Sequence, residues 1–133
     1  FSRATFAAFP WKWCAALPLA LAVITARRQY RKLRCTPVRT PLKAGDFGPL
    51  LEELCQLHGW EPLHYGTDCF VGRTHPGFPI PSWGERLYVV FGKGEVQINS
   101  ISDPDERTAI SSFGRNRRNI RLIREAVERA RKA

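Results

Sequence analysis

The stretch ERLYVVFGKGEVQINSIS, residues 85–102, decides the fold, because it has the pattern of two strands joined by a tight turn. Residues 87–91 form a short apolar run, and Gly92-Lys93-Gly94 follows it as a hairpin connection. Residues 96–101 then begin by alternating apolar with polar side chains, which is typical of a strand with one buried face. The stretch therefore predicts a β-hairpin, the clearest in the chain.

A second, shorter hairpin is predicted before it. The runs WEPLHYG and DCFVGRT, residues 60–66 and 68–74, are separated by a turn at Gly66-Thr67-Asp68. Proline lacks the N–H group that a central strand needs, so Pro62 predicts that the first of these strands lies at an edge of the sheet.

Two helices are predicted to flank the strands. In DFGPLLEELCQLHGW, residues 46–60, Pro49 suits a first helical turn and Gly59 suits a helix end. Its predicted core face consists of four leucines, Leu50, Leu51, Leu54 and Leu57. The final segment has an apolar repeat of Ile120, Ile123, Val127 and Ala130. Its outer surface carries oppositely charged pairs four residues apart, Arg121–Glu125, Arg124–Glu128 and Glu128–Lys132.

Together these elements predict the α+β fold class. We expect a helix, a four-stranded antiparallel sheet and a helix in one domain over residues 46–133. Residues 35–45 are interpreted as a linker, because Pro37 and Pro41 favour extended backbone at the residues before them.

The N-terminal segment WKWCAALPLALAVITARRQYRKLR, residues 11–34, changes from an apolar run into a basic cluster. Residues 13–26 carry no charge, but 14 helical residues span only about 21 Å, short of the roughly 30 Å of a hydrocarbon core. Extension back to residue 4 gives 23 residues with one charge, Lys12, whose long side chain can reach the headgroups.

We predict that residues 1–34 form a transmembrane anchor with its basic stop-transfer segment. The positive charges follow the apolar run, which is the reverse of a signal peptide and places the downstream domain in the cytoplasm. The predicted membrane-interface residues are Trp11 and Trp13 on one side and Arg27, Arg28, Arg31, Lys32 and Arg34 on the other. A core helix and a cleaved signal peptide are the alternatives.

The net charge of +9 is unevenly distributed along the chain. Residues 27–43 contain seven basic and no acidic residues, whereas residues 44–114 contain four basic and ten acidic ones. Residues 115–132 are again basic, with eight basic and two acidic residues. The first block favours contact with anionic lipid. Nucleic-acid binding by both basic blocks is an alternative with less support, because only Tyr30 supplies an aromatic residue within the first block.

The run INSISDPDERTAISSFGRNRRNI, residues 98–120, with SWG at 82–84 and the N-terminal apolar segment, resembles short, uncharacterised membrane-anchored bacterial proteins. The resemblance covers roughly residues 82–120. It implies membrane attachment and identifies no activity.

The cysteine and histidine residues suggest a further alternative, a metal- or thiol-dependent enzyme. Cys55 and His58 lie three residues apart, and they are followed by His64, Cys69 and His75. No closely spaced pair of cysteines is present, so neither a zinc knuckle nor a disulfide framework is indicated. Cys69 near His64 across the hairpin would suit a thiol nucleophile and its base. We expect no cofactor.

The sequence favours a non-catalytic accessory or interaction protein that serves as a subunit of a larger membrane assembly. Its expected partners are the lipid bilayer and another protein in or at the membrane. The candidate partner contacts are Phe78 and Trp83 in a proline-rich loop and Arg115, Arg117 and Arg118 at the start of the last helix. These arginines have three interpretations: an anion or lipid-headgroup site, a solvated helix start, or pairing with the acidic turn at residues 103–106.

Overall fold

The computed structural model describes residues 11–75, 83–105 and 114–133. In these ranges the protein is α+β, with a five-stranded antiparallel sheet and three α-helices. The helices are α1 (Trp11–Leu33), α2 (Phe47–His58) and α3 (Arg115–Lys132), and the strands are β1 (Thr36–Arg39), β2 (Glu61–Tyr65), β3 (Cys69–Arg73), β4 (Glu85–Phe91) and β5 (Glu95–Ser102).

The two predicted hairpins are confirmed. β4 pairs with β5 from Glu85 opposite Ser102 to Phe91 opposite Val96, and β2 pairs with β3. Leu87 and Val89 on β4 are completely buried together with Val96 and Ile98 on β5. The alternation seen in the sequence therefore marks the face of the sheet that helps to form the core.

The sheet has five strands and not the four that were predicted. Its order is β1-β5-β4-β3-β2, and the additional strand, β1, lies in the segment interpreted as a linker. β1 pairs with β5, and Val38 is buried opposite Val96. Pro37 is compatible with this strand because an edge strand can lack one N–H group. Pro62 lies on the opposite edge strand, β2, as predicted.

α2 contributes a buried face that differs from the predicted one. Phe47, Leu51, Leu54 and Cys55 are buried. Leu57 is 69% exposed, so its assignment to the core was wrong. At 100° per residue, Leu57 points about 100° away from the centre of the buried face. The helix ends at Gly59, whose φ of 66° is the left-handed conformation that glycine adopts readily.

α3 covers the sheet with the predicted apolar face. Ile123 and Val127 are buried, and Ala126 lies beside them in the core. Ile120 and Ala130 are half-buried at the margins of the same face. α3 packs mainly on β5 and also contacts α2. The core therefore lies between one face of the sheet and the two helices α2 and α3.

The chain forms two compact units, Phe1–Leu33 and Arg34–Ala133. In the first unit α1 is a continuous helix of 23 residues with Pro18 in its interior, and its described side chains, residues 14–33, are all exposed. Over the ranges that the structure describes, none of the helices contains an apolar stretch sufficient to cross a bilayer. The predicted transmembrane helix is therefore not supported by the fold.

Candidate functional site

Charged side chains converge at one end of the sheet, where β3 ends, β4 begins and β5 ends. We call this group the ion-pair cluster. Its members are Arg73, Thr74, Glu85, Arg86, Asp103, Asp105 and Arg115. Antiparallel pairing places these residues together, because Arg73 lies opposite Arg86 and Glu85 lies opposite Ser102.

Glu85 is the buried centre of one half of the ion-pair cluster, with only 1% of its surface exposed. The hydroxyl of Thr74 donates a hydrogen bond of 2.5 Å to Oε2 of Glu85. The backbone N–H of Glu85 donates in turn to the Thr74 hydroxyl, at 2.8 Å. Nε of Arg115 lies 3.3 Å from Oε1 of Glu85 and compensates its charge. The buried carboxylate therefore has both a hydrogen-bond donor and a counter-ion, as burial of a charge requires.

Asp103 is the buried centre of the other half. Its Oδ1 accepts a hydrogen bond of 2.7 Å from Nη2 of Arg86, and its Oδ2 lies 2.7 Å from Nε of Arg73. The second contact is electrostatic, since neither of its two atoms makes a well-aligned hydrogen bond within the described residues. Arg86 also donates to the exposed Asp105 at 2.6 Å. That hydrogen bond and the charge of Arg86 lower the pKa of Asp105.

Gly84 allows the backbone to turn tightly beside this cluster. Its φ is 104°, and a Cβ atom at this position would lie 2.6 Å from the carbonyl oxygen of Thr74. The carbonyl of Gly84 also accepts a hydrogen bond of 3.1 Å from the N–H of Asp103. A side chain at this position would therefore force apart the ends of β3 and β4.

A polar network fixes the start of α3 against β5. The side-chain amide of Asn119 donates to the hydroxyl of Ser100 at 3.2 Å, and that hydroxyl donates to Oδ1 of Asn116 at 2.8 Å. Arg115 precedes Asn116 and donates from Nη2 to the carbonyl of His75 at 3.2 Å. The network places Arg115 over Glu85 and ties α3 to the end of β3.

A second polar surface lies along α3 and is open to solvent. It is a groove of about 400 Å³, which we call the arginine groove. Its lining residues are Thr36, Gly114, Arg117, Arg118, Ile120, Arg121 and Arg124. All four arginines are exposed, and no carboxylate is among the lining residues that the structure describes. The arginine groove is chemically suited to an anion.

The candidate partner contacts fall in different places. Phe78 lies outside the described residues. Trp83 is 50% exposed and adjoins Gly84 beside the ion-pair cluster. Arg115 belongs to the ion-pair cluster, whereas Arg117 and Arg118 belong to the arginine groove. Of the three arginines, Arg115 therefore pairs with a buried carboxylate, whereas Arg117 and Arg118 face outward.

Pairing with the acidic turn at residues 103–106 was one of three interpretations for these arginines, and its Glu106 lies outside the described residues. Asp103 and Asp105 pair with Arg73 and Arg86, and Arg115 pairs with Glu85. The reason is sheet register, which brings the ends of β3, β4 and β5 together and puts Arg73 and Arg86 directly opposite each other.

The predicted membrane-interface residues all belong to α1 or follow it directly. Trp11 and Trp13 occupy its first turn. Arg27, Arg28, Arg31 and Lys32 lie in its last two turns and are exposed, as is Arg34 just beyond the helix. The five basic residues therefore follow the apolar part of the helix along its axis.

The thiol and imidazole groups lie on several elements of the fold. Cys55 is buried in α2, and burial together with the nearby charge of Glu52 raises its pKa, which disfavours a reactive thiolate. His58 stacks on Trp60 with ring centroids 5.2 Å apart, and burial followed by the charge of Arg118 lowers its pKa. His64 pairs with Val71 and Cys69 with Val90 across the sheet. In the part of the chain that the structure describes, no three potential metal ligands converge.

The sequence analysis missed Glu85 and Thr74. The signal was the same alternation that identified β4: Leu87 and Val89 are buried, so Glu85, two residues earlier, must lie on the buried face. A carboxylate at such a position requires a counter-ion, but its identity follows from tertiary contacts alone.

Comparison of the chain with protein-family models, with curated proteins and with solved structures gives no match.

Proposed function

We propose that the protein is a non-catalytic, membrane-anchored accessory protein. In this proposal α1 is its single membrane-spanning segment, and the α+β unit lies in the cytoplasm and binds a protein partner at the membrane. The observation that carries the proposal is the exposure of apolar side chains on every side of α1.

The apolar side chains of α1 have no single face. Leu17, Leu19, Leu21, Val23 and Ile24 are between 48% and 66% exposed. At 100° per residue, Leu17, Leu21 and Ile24 point to one side of the axis. Leu19 and Val23 point to the opposite side, and Ala20 and Ala22 lie in the directions between. A helix that is apolar on all sides is stable only in an apolar environment, which a bilayer provides.

The length of the apolar run is compatible with this role when the residues before it are included. Residues 13–26 cover about 21 Å of the roughly 30 Å hydrocarbon core. The upstream sequence adds apolar residues and a single lysine, Lys12, between two tryptophans suited to the membrane interface. Shorter apolar segments are also accommodated by local thinning of the bilayer.

The basic end of α1 supports the proposed orientation. Arg27, Arg28, Arg31, Lys32 and Arg34 are exposed and have no acidic residue near them in sequence. Such a cluster favours the cytoplasmic headgroups, where anionic lipids are enriched.

The chemistry of the α+β unit supports a binding role more than a catalytic one. The charged groups of the ion-pair cluster are compensated by one another at 2.6–3.3 Å. A general acid, base or nucleophile has to be available to a substrate. The half-exposed Trp83 and the outward-facing Arg117 and Arg118 remain the better candidates for partner contact.

A pair of lysine substitutions tests the membrane proposal. Leu21 and Leu33 are 64% and 62% exposed and both belong to α1, but only Leu21 lies in the apolar run. We expect Leu21→Lys in the full chain to reduce partition into phosphatidylcholine vesicles by about a hundred-fold, because a lysine near the centre of a membrane helix is unfavourable by about 3 kcal/mol. Leu33→Lys should partition like the unaltered protein. Flotation of the protein with vesicles measures both.

Equal partition of the two variants would contradict the proposed role of α1. A protein that fails to float with any vesicle in its unaltered form would contradict membrane attachment altogether. The partner proposal is tested separately by size analysis after gentle detergent extraction, where a free monomer would count against an accessory role.

A further inference from the structure

We infer that the arginine groove binds the phosphate of anionic lipid headgroups, so that the α+β unit has its own contact with the membrane surface. This inference rests on the proposed function and extends it from α1 to the second unit. It names the ligand of a surface whose four arginines face outward.

The arginines of the groove form a continuous strip on α3. Arg117, Arg121 and Arg124 are separated by four and three residues, which places them on one side of the helix, and Arg118 lies next to them. Guanidinium groups have planar, forked donors that match phosphate oxygens. A strip of four such groups along a groove can therefore surround one or two phosphates.

Within the described part of the chain, the ion pairs of these four arginines are few and weak. Arg121 and Arg124 lie 3.9 and 4.0 Å from Glu125 and Glu128, and all four side chains are about half-exposed or more, which makes the pairs weak. Arg117 and Arg118 form no ion pair with any residue that the structure describes. By contrast, Arg115 belongs to the same helix and is fixed on the buried Glu85.

The positive charge of the groove reaches the end of α2. The charge of Arg118 is one of the two causes that lower the pKa of His58 on α2, after burial. Among the described residues, the lining of the groove includes four cations and no acid. An incoming anion therefore meets a net positive field.

The chain path favours a lipid over other sources of phosphate. Thr36 lines the groove and follows Leu33, the last residue of α1, by three residues. The basic residues Arg31, Lys32 and Arg34 immediately precede it, and the proposed function assigns them to the headgroups. Nucleic acid fits less well, because the described lining residues include no aromatic side chain on which a base could stack.

A charge-matched pair of variants tests the inference in the full chain. The groove variant carries Arg117→Gln, Arg118→Gln and Arg121→Gln, and the control variant carries Arg129→Gln, Arg131→Gln and Lys132→Gln. Each variant loses three positive charges from exposed positions on α3. Arg131 lies about 20 Å from Arg118 along the helix, farther than the screening length of about 8 Å at physiological salt.

Partition is measured on vesicles of phosphatidylcholine with and without phosphatidylserine. We expect the groove variant to lose about a hundred-fold in affinity for the serine-containing vesicles, from the summed effect of three basic residues near an anionic surface. The control variant should stay within about three-fold of the unaltered protein, since its charges lie outside the groove. All three proteins should bind pure phosphatidylcholine equally through α1.

Equal losses in the two variants would overturn the inference, because they would show an effect of net charge alone. The inference would also be overturned if inorganic phosphate, added at the lipid concentration, abolished the difference in vesicle affinity between the groove variant and the control variant. That result would identify a site for free phosphate. Duplex DNA binding that only the groove variant lacks, with unchanged vesicle binding, would assign the groove to nucleic acid. Failure of the unaltered protein to bind phosphatidylcholine contradicts the proposed role of α1, while the comparison on serine-containing vesicles still decides the groove.

Discussion

α1 and α3 are both long helices rich in basic residues, and they arrange apolar and charged side chains in different ways. In α1 the apolar residues come first and the basic residues follow along the axis. In α3 both kinds run the length of the helix on opposite sides. The consequence is that the described side chains of α1 are all exposed, whereas Ile123 and Val127 of α3 are buried.

The comparison shows that the arrangement of apolar and charged residues decides what can cover the apolar surface. The two kinds of residue can be separated along the helix axis, as in α1, or around it, as in α3. A face separated around the helix can be buried by a sheet, with the charges left in water. A run separated along the helix presents apolar surface in every direction, so one neighbouring element cannot cover it. The arginines of α3 also differ in direction around the helix. Arg115 points inward to Glu85, whereas Arg117 and Arg118 point outward.

The largest expected effect comes from shortening a core residue of α3. Ile123→Ala should lower the free energy of unfolding of the α+β unit by about 3 kcal/mol, because it removes buried atoms and leaves a cavity. Leu21→Ala on α1 should change this quantity by less than about 0.5 kcal/mol, since Leu21 is exposed. Denaturant unfolding in mild detergent, followed by circular dichroism, measures both.

Similar losses for the two variants would break the comparison, because they would mean that α1 packs as a core element. A loss below about 1 kcal/mol for Ile123→Ala would place α3 outside the cooperative core.

The second effect concerns the inward-facing arginine. Arg115→Ala should lower the free energy of unfolding by about 2 kcal/mol, because it removes a cation that compensates the buried carboxylate of Glu85. Addition of Glu85→Gln to this variant should restore part of the loss, since it removes the buried negative charge. Arg31→Ala, at the exposed basic end of α1, is the matched control and should be neutral. The same unfolding measurement distinguishes the four proteins.

An absence of rescue by Glu85→Gln would show that Arg115 acts through its contact with the carbonyl of His75 and not through charge. The distinction between inward- and outward-facing arginines on α3 would then lose its electrostatic basis.

Much of the α+β unit could be predicted from local patterns. The alternation in β4 and β5, the turn residues between them and the apolar repeat of α3 each specify an element without reference to the rest of the chain. β1 was missed because four residues containing a proline carry little signal, and the strand is defined by its pairing with β5. Leu57 was misplaced because Phe47 and Cys55 shift the centre of the buried face, which depends on what α2 packs against.

The candidate site could be predicted only in part. An anion site was one interpretation of Arg115, Arg117 and Arg118, and the structure places only Arg117 and Arg118 of these three in the arginine groove. The ion-pair cluster was not recognised, since its members come from four separate stretches of the chain. Arg73 and Arg86 meet Asp103 because β3, β4 and β5 align at that end of the sheet, and such register is a property of the whole sheet.

The smallest effect is a dependence on pH that only the α+β unit should show. The hydrogen bond from Arg86 and its charge lower the pKa of Asp105, so this carboxylate stabilises the folded state above its ordinary pKa of about 4. The contribution disappears as pH falls through the lowered value. The unaltered protein should therefore be slightly more stable than Asp105→Asn at neutral pH, and the difference should vanish in acid.

Because α1 contains no acidic residue, partition of both proteins into phosphatidylcholine vesicles should stay equal at both pH values. A stability difference that persists in acid would show that Asp105 acts through shape and not charge, and unequal partition would mean that the two units respond to pH together.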